Sequence, residues 1–132
     1  MAAWQTVRFD PSYEEPLDPE IVDLCDALNE AGFETTDSCC GHGADWPRVW
    51  WSGLVPDERC EALARFLLDR FSFDYCPFTP WVSKGIEKVG HYWKLEIHLH
   101  RVFATTPPME TLREAIAAMW AVANAVREFK VR

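Results

Sequence analysis

Tyr92-Trp93-Lys94-Leu95-Glu96-Ile97-His98-Leu99-His100 alternates without a break. Trp93, Leu95, Ile97 and Leu99 share one side; Tyr92, Lys94, Glu96, His98 and His100 share the other. A period of two is that of a strand, taken here over 92–102. One apolar and one polar side predict a sheet that packs a core on one face and leaves the other partly open. The stretch just upstream, 75–83, has strand composition, but Pro77 and Pro80 confine it to an edge or a bulged path. Gly85 and Gly90 flank the connection between the two.

Further out, helices and strands alternate. Pro56-Asp57 opens a helix whose apolar stripe is Cys60, Leu63, Ala64, Leu67 and Phe71. Before it, 48–52 reads as a strand with Val49 and Trp51 on one face and Arg48 and Trp50 on the other. Residues 34–38 form the strand that pairs with it in a hairpin. An earlier helix starts with Asp18 as N-cap and Pro19 in the first turn, buries Ile21, Leu24, Cys25 and Leu28, and ends at Gly32. Residues 4–9 suggest a short strand, and 10–17 a Pro- and Glu-rich connector. Thr106-Pro107 begins the last helix, with Met109, Leu112, Ile116, Met119, Ala123 and Val126 as the expected core stripe. The pattern predicts an α+β two-layer sandwich in a single domain over 1–132: two αββ halves, a C-terminal helix, and one sheet face partly open.

Composition narrows the function classes. The chain has 132 residues and a net charge of −8, which argues against general binding to phosphate backbones. Five cysteines, an odd number, do not suit an extracellular disulfide framework. No basic segment followed by an apolar run opens the sequence, and no stretch approaches bilayer-spanning length. These features predict a reduced, cytoplasmic protein outside the membrane.

Chemistry concentrates in Ser38-Cys39-Cys40-Gly41-His42-Gly43, the connection of the first hairpin. Three readings follow from its residue types. Cys39, Cys40 and His42 are soft and borderline metal ligands, and the strand residues His98 and His100 can complete a divalent site, zinc above all, with Glu96 as a further ligand or proton acceptor. Alternatively, Cys39 or Cys40 beside His42 can act as a thiolate nucleophile. In the third reading, Ser38, Gly41 and Gly43 turn backbone N–H groups toward an anion while Trp46, Trp50 or Trp51 stacks on a nucleotide or modified base. Cys25 and Cys60, on helical stripes, read as small core residues.

The Thr-x-x-Ser-Cys-Cys-Gly-His-Gly run, preceded by a helix ending in Ala-Gly-Phe, resembles small uncharacterised proteins of phages and bacteria. Residues 35–42 are also similar, at the level of the loop, to the Thr-x-Ser-Ser-Cys-Ser-Gly-Arg segment of the wybutosine-synthesising tRNA methyltransferases. Taken with the helix and strand that lead into the loop and the strand that follows it, that similarity covers about a quarter of the chain, and it implies loop-shaping roles for Ser38, Cys39 and Gly41. At position 42 this chain has histidine where those enzymes have arginine. The expected function is ligand binding at the Ser38–Gly43 loop with Trp50, the partner being a small molecule and a divalent metal assisting. The alternative is a phage-type inhibitor acting on a host protein through its acidic surface.

Overall fold

The computed structural model describes residues 9–10, 15–16, 19–87, 90–101 and 103–130. A two-residue antiparallel ladder joins β1 (Phe9–Asp10), at the end of the expected first strand, to β2 (Glu15–Pro16), where a connector was expected. The rest of the expected 4–9 strand, and the Asp18 cap, lie outside the described residues.

Pro19–Ile21 form a 3-10 turn that leads into α1 (Val22–Glu30). The helix ends as its Ala-Gly-Phe sequence predicts. Gly32 N–H donates to Asn29 O at 3.1 Å and Phe33 N–H to Leu28 O at 2.9 Å, the paired bonds that satisfy the last free carbonyls. Arg59 adds a third donor, to Ala31 O at 2.6 Å. Asn29 Oδ1 then accepts the Thr35 N–H at 2.9 Å, which sets where the next strand starts.

The sheet is fully antiparallel, in the order β3-β4-β6-β5. β3 (Thr35–Cys39) and β4 (Arg48–Ser52) are the first hairpin; β5 (Phe78–Glu87) and β6 (Gly90–Leu99) are the second. α2 (Asp57–Arg70) connects them, and α3 (Pro108–Lys130) closes the chain. The αββ-αββ-α order is therefore real, and β5, with Pro80 inside it and Pro77 just before it, is an edge strand. It runs further than expected, so Gly85 lies inside it, opposite Tyr92.

α1, α2 and α3 pack on β3, β5 and β6 respectively, and α3 packs on both other helices, forming a single helical layer. The core lies between that layer and the inner face of the sheet. Val49, Trp51, Leu95 and Ile97 are fully buried there, against Leu24, Leu28, Leu63 and Leu67 of the helices. Phe33 meets Trp51 edge to face at a centroid distance of 5.3 Å. Removal of each of these apolar side chains from water supplies the main stabilisation of the fold.

The first half of the last helix departs from expectation in its phase. Met109 is 64% exposed, and Leu112 and Ile116 are only half-buried. Met119, Ala123 and Val126 are buried as expected, and the rest of the buried line is Thr111, Ala115, Ala118, Val122 and Ala125. Small side chains on that line let α3 lie close against α1, and Arg127 locks the pair by donating to Asp23 Oδ1 at 2.6 Å. Among the described residues, no helix is long and apolar enough to cross a membrane.

Candidate functional site

The antiparallel register fixes what stands on the open face. Directly paired residues share a face, so Cys39, Arg48, Glu96 and Trp81 form one row across all four strands. The next row is Asp37, Trp50, Lys94 and Ser83. On the other side of the first row, Thr79 pairs with His98. The ladder between β4 and β6 gains one more bond, Ile97 N–H to Pro47 O at 2.9 Å. That bond draws the end of the 40–47 loop alongside β6 and sets Trp46 on His98.

Trp46 and His98 stack with ring centroids 3.9 Å apart and planes 24° from parallel. Trp81 lies on the same side, its ring 6.4 Å from that of His98 and 23° from parallel. Two indoles, one from the loop and one from a strand, thus each lie within 24° of the His98 plane. Trp81 is 46% exposed, and Trp50 is half-buried one row away under the Arg48 guanidinium. Glu96 Oε1 lies 3.1 Å from His98 Nε2, and Glu96 Oε2 lies 3.3 Å from Lys94 Nζ. Arg48 pairs with Asp45 at 2.9 Å. Both cations of this face therefore already hold a carboxylate, which leaves little free positive charge for a polyphosphate.

The loop residues have partners of their own. Gly41, His42 and Gly43 follow one another at φ values of 86°, 52° and 79°, a left-handed run in which glycine is favoured at two of the three positions. The Gly41 N–H points to Cys39 Sγ and the His42 N–H to Cys40 Sγ, each at 3.4 Å. His42 Nδ1 is 3.6 Å from Cys40 Sγ. Gly41 O accepts from both Ala44 and Asp45, at 2.9 and 3.1 Å. At Gly43 the backbone comes so close to α3 that a side-chain carbon would collide with the Pro108 carbonyl. Cys40 is buried, Cys39 half-buried, and the Ser38 hydroxyl oxygen is buried on the inner face beside Val49. The sulfurs and glycines shape a turn that docks on the last helix and delivers Trp46.

The five residues considered as metal ligands are distributed among different partners. Cys39 and Cys40 receive loop N–H groups, His42 turns to Cys40, His98 to Glu96 and Trp46, and His100 to Thr79 Oγ1 at 2.9 Å. Among the described residues, no group of three or more His, Cys, Asp or Glu side chains is arranged to hold a metal ion. All five cysteines are free thiols. Burial pushes the Cys60 thiol pKa up, although the Trp51 indole N–H donates to its sulfur at 3.3 Å. Cys60 is a core residue, as its place on the α2 stripe implied.

Trp81 is the site residue that the sequence did not single out. The signal was present: Thr79, Trp81 and Ser83 alternate with Phe78, Pro80 and Val82, and an exposed indole on an edge strand is unusual for a residue with no ligand or partner. No protein-family model matches the chain, and no curated protein or solved structure shows significant similarity to it.

Proposed function

We propose that this protein is a small ligand-binding domain and that it takes a planar, nitrogen-rich heteroaromatic molecule of nucleobase type on the open face of its sheet. The observation that carries the reading is the pair of indoles, Trp46 and Trp81, each within 24° of the His98 plane, on the solvent side of β6 and β5. Flat π-surfaces favour a flat ligand, and base–aromatic stacking contributes about 1–3 kcal/mol per base. The pairing of Arg48 and Lys94 with carboxylates, with the net charge of −8, favours a base or nucleoside over a polynucleotide. In this reading the Ser38–Gly43 loop does not cradle the ligand. It is the wall that holds Trp46 in place. Five free thiols agree with a reducing, cytoplasmic setting.

The test is a tryptophan-fluorescence titration with free purines and pyrimidines, run on the wild type and on Trp81→Ala. Saturable quenching that weakens by roughly tenfold or more in the variant supports the platform. Quenching of equal strength in both proteins, or none with any base, contradicts it.

A further inference from the structure

His98 is held by more than its ring neighbours. Glu96 precedes it by two residues on the same face of β6, and the two side chains meet at 3.1 Å between Oε1 and Nε2. Both are sheltered, with 19% of the Glu96 side chain and 26% of the His98 side chain exposed. The other Glu96 oxygen is engaged by Lys94, so the carboxylate cannot swing away without losing a second partner. The imidazole plane is fixed independently by its stack on Trp46. An ionised carboxylate can only accept a hydrogen bond, so neutral His98 must carry its proton on Nε2. Nδ1 is then a lone-pair acceptor, and among the described residues it has no hydrogen-bond partner.

We infer that Glu96 is a positioning residue that fixes His98 in the Nε2–H form, and that Nδ1 of His98 reads an N–H donor on the edge of a ligand that lies in the plane of the imidazole and stacks on the tryptophans beside it. The inference rests on the platform reading above and adds a chemical requirement to it. The preferred ligand is a flat heteroaromatic ring with an exocyclic amine or ring N–H, and a ring of the same shape without such a donor is rejected. Fixing an imidazole tautomer through a carboxylate on the far nitrogen is the general way in which proteins commit a histidine to one role. Sites that hydrogen-bond a ligand group discriminate against analogues that lack it, because a buried acceptor is then left without a donor.

Two measurements test it. In long-range proton–nitrogen NMR of ring-labelled wild-type protein at pH 8, His98 should show a protonated Nε2 and an unprotonated Nδ1, and Glu96→Ala should convert this to a mixture of tautomers. A mixture, or an Nδ1–H form, in the wild type overturns the inference. The second measurement compares 9-methyladenine, whose amine is its only N–H donor, with N6,N6,9-trimethyladenine. Loss of one hydrogen bond should weaken binding about tenfold. If both bind equally, the reader role fails and the platform stands. If neither binds while His98 shows the Nε2–H pattern, the platform fails and the reader role with it.

Discussion

Trp46 lies flat on His98, 3.9 Å between ring centroids, and so ties the loop after β3 to the outer face of β6. The half-buried indole contributes both area and stacking, and its Nε1–H is buried without a partner among the described residues. Trp46→Ala should therefore cost roughly 2 kcal/mol in a denaturant melt. Trp46→Phe keeps a ring on His98 and removes the unsatisfied donor, so its cost should stay under about 1 kcal/mol. Equal losses in the two variants would show that a ring stacked on His98 contributes nothing.

The docking of the loop on α3 gives a second expectation. Gly43→Ala meets the Pro108 carbonyl and must also hold a φ of 79°, so the loop has to lift from the helix. Denaturant melts should show a loss of at least about 2 kcal/mol. A variant within 0.5 kcal/mol of the wild type, a margin typical of plain surface sites, would mean that the loop does not rest on α3.

Packing phase separates Ile97 from Ile116. Ile97 is fully buried at the centre of β6, whereas Ile116 sits on the flank of α3. Ile97→Ala should cost about 3–4 kcal/mol and Ile116→Ala about half of that. Costs in the reverse order would place the wrong face of α3 on the core.

These cases show where the sequence was legible. The alternation through Leu95 and Ile97 needs no tertiary knowledge, because a period of two has one meaning next to an apolar core. The helix end at Gly32 and the edge position of β5 were equally local, written in Ala-Gly-Phe and in Pro77 and Pro80. The phase of the first half of α3 was not. Its large residues, Met109, Leu112 and Ile116, drew the eye to one side, while close approach to α1 selects the alanine line beside it. The loop was misleading in another way. Its thiols and imidazole announce chemistry, but their partners include one another and the loop's own N–H groups. That Trp46 and Trp81 both meet His98 depends on a strand order that pairs β4 with β6, and no local pattern encodes it.

Acid should reveal the contact between α2 and the second hairpin. A hydrogen bond from Lys84 at 2.8 Å, and a weaker one from the Trp93 indole at 3.3 Å, hold the Asp57 carboxyl below its usual pKa of 3.8. A carboxyl with a lower pKa in the folded than in the unfolded state stabilises above the unfolded value and loses that contribution as pH falls through the folded one. Asp57→Asn should therefore be less stable than the wild type at neutral pH, with the gap closing below pH 3.8. Urea melts in steps from about pH 5 to about pH 2 would check this. A gap that stays constant through that range would show that the pair is not formed.

The most direct measurement of the central proposal is an NMR titration of labelled protein with 9-methyladenine, followed at the tryptophan indole and histidine ring signals. The expected result is a saturable set of shifts confined to Trp81, His98, Trp46 and Trp50, with the exposed Trp120 on α3 unchanged. Shifts that leave Trp81 and His98 untouched, or that centre on Trp120, would contradict binding on the open face of the sheet.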